Sequence, residues 1–304
     1  MNNQMKNRAI YQIDAFTKEK FKGNPAGVVL NAEGLSEDKM QQIARELNNS
    51  ETAFIFPPNG KDNDGVIRYF TPTVEVPICG HATISAMYAK AISENLDSCV
   101  LNMKTGVGTL PFEIIKSTTD YKIRMTQGAI SFEPLFYKKI EGEILTALGL
   151  KNTDIDEKCP IQIASTGHSK VMIGIKKNTT LNTLKPDNTK LIELSKIIEC
   201  NGYYVFTFDT TDTNCLIDGR MFAPAIGINE DPVTGNANGP LGAYLVHHNL
   251  VLHNNREFTF KIKQGEKMGR MGYMDVTVTI TENQPKKVQI TGDAVLVFKT
   301  EIAL

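Results

Sequence analysis

The sequence has no tryptophan, few cysteines and no apolar run near the roughly 20 residues that cross a bilayer. The five cysteines, at 79, 99, 159, 200 and 215, are odd in number, widely spaced and without a C-x-x-C pair. That argues against a disulfide framework and for a reducing, cytoplasmic setting. Charge of one sign is not in excess. Lys and Arg total 33, Asp and Glu 34, and the net charge is −1, so no basic surplus draws the chain to nucleic acid or an acidic membrane. The N-terminal residues 1–8 lack the apolar stretch of a secretory signal. Several chemical signatures are missing as well. No G-K-[ST] follows a Gly-rich loop, Gly106-x-Gly108 lacks the third glycine of a dinucleotide fingerprint, and no G-x-S-x-G elbow occurs. His247, His248 and His253 stand beside no Cys or acid at metal-ligand spacing and read as a surface helix end, so no metal is expected from them.

What is present is an ordinary globular composition, 41% apolar and 22% charged over 304 residues, a length that suggests two domains. Alternation predicts strands over 9–16, 26–30, 51–56, 66–72, 98–104, 107–115 and 121–126. Helical spacing predicts helices from Ser36 through Asn49 and over 80–92. Further on, helices are predicted over 141–150, 188–201 and 240–250. Strands are predicted within 162–175 and over 203–209, 220–224, 257–263, 272–281 and 286–298. Strands outnumber helices in mixed order, which favours α+β over a doubly wound parallel sheet.

An internal repeat divides the chain. Arg68-Tyr-Phe-Thr-Pro72 and Arg220-Met-Phe-Ala-Pro224 share Arg, Phe and Pro at an offset of 220 − 68 = 152, half the chain length. Each leads through a small-residue loop (78–83 and 230–237) into a helix pattern, which points to duplication. Two similar domains facing each other would put both loops on one cleft.

Three constellations could carry chemistry. In Asn48-Asn-Ser50-Glu51-Thr52, a carboxylate at a helix-to-strand junction is a candidate general acid/base, or else a solvated strand start. In Cys79-Gly80-His81-Ala82-Thr83, glycine and the free amides of a helix start suit an anion, and His81 can donate or shuttle a proton. The thiol of Cys79 sits where a helix start favours the thiolate; the alternatives are a small buried hydrophobe for Cys79 and a helix cap or core histidine for His81. Glu230-Asp231-Pro-Val-Thr234-Gly235-Asn236-Ala237 is a second anion cradle beside carboxylates, or a capped helix start.

At these residues the chain resembles the phenazine-biosynthesis PhzF-like family, relatives of diaminopimelate epimerase. The matching stretches are D-A-F-x(6)-G-N-P-A-G-V (14–28), N-x-S-E-T (48–52) and R-x-F-T-P-x-x-E-V-x-x-C-G-H-A-T (68–83). T-x-x-G-x-L (105–110), S-T-G-H (165–168) and E-D-P-V-T-G-x-A-x-G (230–239) follow in order. The resemblance implies an α+β fold of two diaminopimelate-epimerase-type domains, each a curved mixed sheet or barrel around a central helix, with the active site in the cleft between them. The domains would span 8–128 plus about 290–304, and 129–289, with central helices 83–92 and 236–248. It further implies a homodimer, no cofactor, and a cofactor-independent isomerase that moves a proton between carbons of a small carboxylic acid. A trans-2,3-dihydro-3-hydroxyanthranilate isomerase is the family example. Glu51 would be the acid/base, with His81 and Asp231 holding and polarising the substrate. Ser50, Cys79, Gly80, Thr234, Gly235 and Asn236 would contact it. Two departures bear on the substrate: Asn236 stands where Ser is common, and Ala82 where Pro is common. The thiol-using relatives pair two cysteines, whereas Asp231 occupies the partner position here. Two alternatives stay open: a thiol-assisted amino-acid epimerase or racemase using Cys79, and a non-catalytic small-molecule or protein-binding module on the same fold.

Overall fold

A computed structural model describes residues 7–303. The chain forms two compact units, residues 1–125 with 291–304, and residues 126–290. In the first, Asn7–Ala15 pairs antiparallel with Asn24–Val29, which runs parallel to Thr52–Phe56. Gly65–Phe70 follows antiparallel to Thr52–Phe56 and parallel to Cys99–Thr105. Gly108–Lys116 and Tyr121–Thr126 continue antiparallel. The last strand, Gln284–Ala303, pairs with both Tyr121–Thr126 and Asn7–Ala15, which closes a barrel. The second unit repeats this order. Gln162–Thr166 is antiparallel to Ser169–Ile175, which is parallel to Tyr203–Thr207. Next come Ile217–Ala223, antiparallel, then Glu257–Gln264, parallel, then Gly272–Thr281, antiparallel. The fold is α+β, two units built on one strand plan.

Among the described residues, the first unit carries two α-helices, α1 (Glu37–Leu47) and α2 (Gly80–Glu94). The second unit carries α3 (Lys138–Leu148), α4 (Asn178–Thr183), α5 (Asn188–Ile198) and α6 (Gly235–His247). Helix α1 behaves as a surface helix should. Ser36 caps it by accepting from the Lys39 N–H, acids fill its first turn, and Met40, Ile43 and Ala44 cover an apolar cluster with Ile10, Val29, Phe54 and Phe70. Helices α2 and α6 differ in kind. Eleven of 15 and eleven of 13 residues are buried, so apolar and small side chains run all round them. Such helices have no solvent face and form the centres of their units. Alanine and glycine let strands approach closely. A Cβ at Gly239 would run into the Gln127 amide.

The sequence pattern places α6 from Pro240, a residue favoured at a helix start. The helix instead begins five residues earlier and holds Pro240 inside it. Gly235, Asn236, Asn238 and Gly239 are poor helix formers, and packing overrides propensity there. The short helix α4 carries no periodic signal. His247 and His248 are half-buried rather than surface groups: His247 stacks on Phe132, and His248 lies 2.7 Å from Gln162 Oε1. Among the described residues, no helix is long and apolar enough to cross a membrane.

The repeat has a structural counterpart. Arg68 makes a bidentate pair with Glu75 (2.6 and 2.5 Å) and lies over Phe70. Arg220 does the same with Glu230 (2.8 and 2.8 Å) and Phe222. In each case the arginine strand runs toward the loop that precedes a central helix.

Candidate active site

Glu51 follows the left-handed cap of α1 at Asn48 and precedes the strand Thr52–Phe56. The turn is pinned from outside by a reciprocal amide pair between Asn49 and Gln12, 2.9 Å in both directions. Thr52 is fully buried and sits opposite Gly27 in the parallel register. Glu51 is thereby directed inward, its side chain 14% exposed.

Cys79 is the N-cap of α2, and Gly80 and His81 form its first turn. The Thr83 hydroxyl donates to the Cys79 carbonyl at 2.7 Å and lies 2.7 Å from the Tyr69 hydroxyl, all buried. Burial pushes the Tyr69 phenol above its ordinary value, which keeps it neutral. This buried pair fixes the helix start. The His81 ring then bridges its neighbours. Nε2 lies 3.1 Å from Ser50 Oγ and 3.2 Å from Glu51 Oε2, and Nδ1 lies 3.4 Å from Cys79 Sγ. Glu51 Oε2 is buried and accepts no hydrogen bond. It is close enough to His81 for electrostatic pairing, but the ring N–H direction does not serve it. A buried carboxylate oxygen without a donor is costly and calls for a proton, a donor or a cation. Glu51, Cys79 and His81 also bring one donor atom each within 4.8 Å of one another, so they are the group able to hold a metal ion among the described residues.

In the second unit Asp231 ends the strand Ile228–Asp231, and Thr234 is the N-cap of α6, which begins at Gly235. Behind Asp231 runs a chain of buried hydrogen bonds. Tyr204 Oη donates to Asn238 Oδ1, and Asn238 Nδ2 donates to Gln264 Oε1 at 2.9 Å. Gln264 Nε2 donates to Thr234 Oγ1 at 3.0 Å and to the Asp231 carbonyl at 2.8 Å, and Thr234 Oγ1 donates to Asp231 Oδ2. The phenol at one end and the carboxylate at the other allow only one polarity, with every donor pointing toward Asp231. Asn236 is half-buried on the first turn of α6. Gln127, which donates to the Gly235 carbonyl at 2.9 Å and accepts from Thr166, steadies the same turn.

The structure thus gathers Ser50, Glu51, Cys79, Gly80 and His81 in the first unit, and Asp231, Thr234, Gly235 and Asn236 in the second. Sequence reasoning missed Gln264, Asn238 and Tyr204. They come to the loop through the parallel pairing of 217–219 with 262–264 and through one turn of α6, at separations no short motif spans. The S-T-G-H stretch forms a hairpin turn with Gly167 at φ 106°. A cavity of about 480 Å³ lined by Lys138, Glu141, Leu145, Asn152 and Cys159 contains none of the candidate residues.

Residues 13–300 match the family model described as phenazine biosynthesis-like protein. A protein of Clostridium acetobutylicum named an uncharacterized isomerase is 59% identical over 295 residues, which is 97% of this chain and 98% of that one. The trans-2,3-dihydro-3-hydroxyanthranilate isomerase of Pseudomonas aeruginosa is 31% identical over 287 residues, covering 92% of this chain and 94% of that one. The crystal structure of a Bacillus anthracis phenazine biosynthesis protein of the PhzF family superposes with a TM-score of 0.87 at 32% identity, covering 99% of this chain and 100% of that one.

Proposed function

The chain belongs to the phenazine biosynthesis-like (PhzC/PhzF) family of isomerase-type enzymes, and on that premise we propose that it is a cofactor-independent isomerase that moves a proton between carbons of a small carboxylic acid. The observation that carries the reading is Glu51 Oε2, a buried carboxylate oxygen that accepts no hydrogen bond and lies against an imidazole. Glu51 takes a proton from one substrate carbon as carboxylate and returns it to another as carboxylic acid. The substrate double bond shifts between the two events, and atoms and charge balance without an external reductant or oxidant. His81, held between Ser50 and Cys79, stabilises the carboxylate and orients the substrate. Asp231, fixed by Thr234, and backbone amides at the first turns of α2 and α6 bind substrate polar groups, with a carboxylate suited to a helix N-terminus. Positioned proton transfer of this kind is worth roughly 10²–10⁴-fold, and orientation and preorganised charge supply the remainder.

A second reading has its own observation. Cys79 Sγ lies 3.4 Å from His81 Nδ1, within reach of a thiol-to-imidazole proton transfer, as a thiol-assisted epimerase or racemase would use. One experiment separates the two. A panel of small carboxylic acids, including amino acids and dihydro-hydroxyanthranilate, is incubated in deuterated water with wild type and with Cys79→Ala. Proton NMR follows loss of C–H signal. The proposal expects exchange with at least one compound, retained in Cys79→Ala. Loss of exchange in that variant alone would favour the thiol. A compound that binds without exchange would favour a binding module.

A further inference from the structure

We infer that Glu51, Cys79 and His81 form a binding site for a thiophilic divalent cation of the zinc class, and that such an ion blocks the acid/base group. The donors are a thiol, an imidazole and a carboxylate, each a zinc ligand, and one atom of each lies within 4.8 Å of the others. Zinc at about 2.3 Å from sulfur and about 2.0–2.2 Å from nitrogen and oxygen holds its ligands roughly 3.3–3.6 Å apart. Cys79 Sγ lies 3.4 Å from His81 Nδ1 and Glu51 Oε2 lies 3.2 Å from the other ring nitrogen, Nε2, so the side chains must draw in from their 4.8 Å envelope for one nitrogen to share an ion with both partners. The independent observation is Glu51 Oε2, a buried carboxyl oxygen that no hydrogen-bond donor serves. Ser50 Oγ, 3.1 Å from His81 Nε2, lies beside the same ring.

The chemistry selects the ion. A soft sulfur donor with an imidazole favours zinc, cobalt and copper over magnesium or calcium, which prefer all-oxygen shells. Cys79 caps α2, and the positive end of a helix opposes a cation. Binding therefore needs both anionic ligands, thiolate and carboxylate together. The thiol proton leaves to the buffer as the sulfur–metal bond forms, so binding strengthens as pH rises. Three protein ligands leave one tetrahedral position for water or a substrate carboxylate. The ion then occupies the Glu51 oxygen that proton transfer requires, and only this blocking step rests on the proposed function.

The test is a cobalt(II) titration of the full chain, reduced and free of added thiols, read by absorbance. The expected result is a thiolate-to-cobalt charge-transfer band with tetrahedral d–d bands, both displaced by zinc. Cys79→Ser should abolish the charge-transfer band. Glu51→Gln should weaken cobalt binding by more than the roughly 10- to 100-fold typical of an outer-shell loss. Cys99→Ser, which alters a cysteine outside the cluster, should leave the spectrum unchanged. Absence of the band in wild type, or its survival in Cys79→Ser, would overturn the site. These readouts need no substrate, so they stand whether or not the isomerase reading holds. With an exchanging substrate in hand, zinc should abolish exchange in wild type, and undiminished exchange in zinc-saturated protein would overturn the blocking step.

Discussion

The duplicated arginine motif offers a controlled measurement of how depth changes the worth of an ion pair. Arg220 and Glu230 are 6% and 16% exposed at their side chains, whereas Arg68 and Glu75 are 29% and 36% exposed. Both arginines are bidentate to a glutamate and stacked on a phenylalanine, so the local chemistry is nearly the same. Glu230→Gln keeps the side-chain shape and leaves the Arg220 charge buried. Two backbone carbonyls, of Leu181 and Leu184, still accept from it. Breaking a buried pair costs about 3–5 kcal/mol, and those carbonyls put this case at about 3. Glu75→Gln removes a part-exposed pair worth about 0–1 kcal/mol, and Glu37 remains as a second partner for Arg68. At about 2–4 °C per kcal/mol for a unit of this size, the midpoint should fall by about 6–12 °C for Glu230→Gln and by no more than about 4 °C for Glu75→Gln. Thermal unfolding followed by circular dichroism at fixed pH and salt decides it. Equal losses in the two variants would refute the argument from burial.

Two further outcomes follow from the second unit. Gln264→Glu keeps size but removes both N–H donors facing Thr234 Oγ1 and the Asp231 carbonyl, at about 1–3 kcal/mol for each buried acceptor left unserved. Tyr204→Phe removes a single donor at the far end, so its melting point should fall about half as far, and a larger fall than in Gln264→Glu would contradict the one-way chain. Burial, then the neighbouring His247, holds the His248 imidazole below its ordinary value of 6.5. The unfolded chain then binds the proton more readily, so the His248 contribution is complete above about pH 6.5 and declines as pH falls through the lowered folded value. His248→Gln should flatten the dependence of the melting point between pH 7 and 5, and an unchanged slope would contradict this.

The parts of the molecule that sequence made legible share a cause. Arg68, Phe70 and Pro72 with Arg220, Phe222 and Pro224 kept their identities because one side chain must both stack and pair. Ser36 and Asn48 marked α1 because caps are local chemistry. The Glu51, Gly80–His81 and Asp231–Gly235 stretches stood out because each is a short motif at an element boundary. What escaped was non-local. Glu75 lies 7 residues after its arginine and Glu230 lies 10 after its own, so the fixed offset does not show that each pairs with its arginine. Gln264 reaches Asp231 only after a parallel strand pairing forms. The start of α6 was obscured because glycine and asparagine signal turns until a surrounding sheet makes them helical.

The central claim is that Glu51 carries the transferred proton. The direct measurement is the rate of substrate C–H exchange in deuterated water for Glu51→Gln against wild type, at saturating substrate and with folding checked by circular dichroism. Glu51→Gln should lose roughly 10²–10⁴-fold with little change in substrate affinity, because glutamine keeps the shape but can neither take nor return the proton. Exchange within about tenfold of wild type would contradict it.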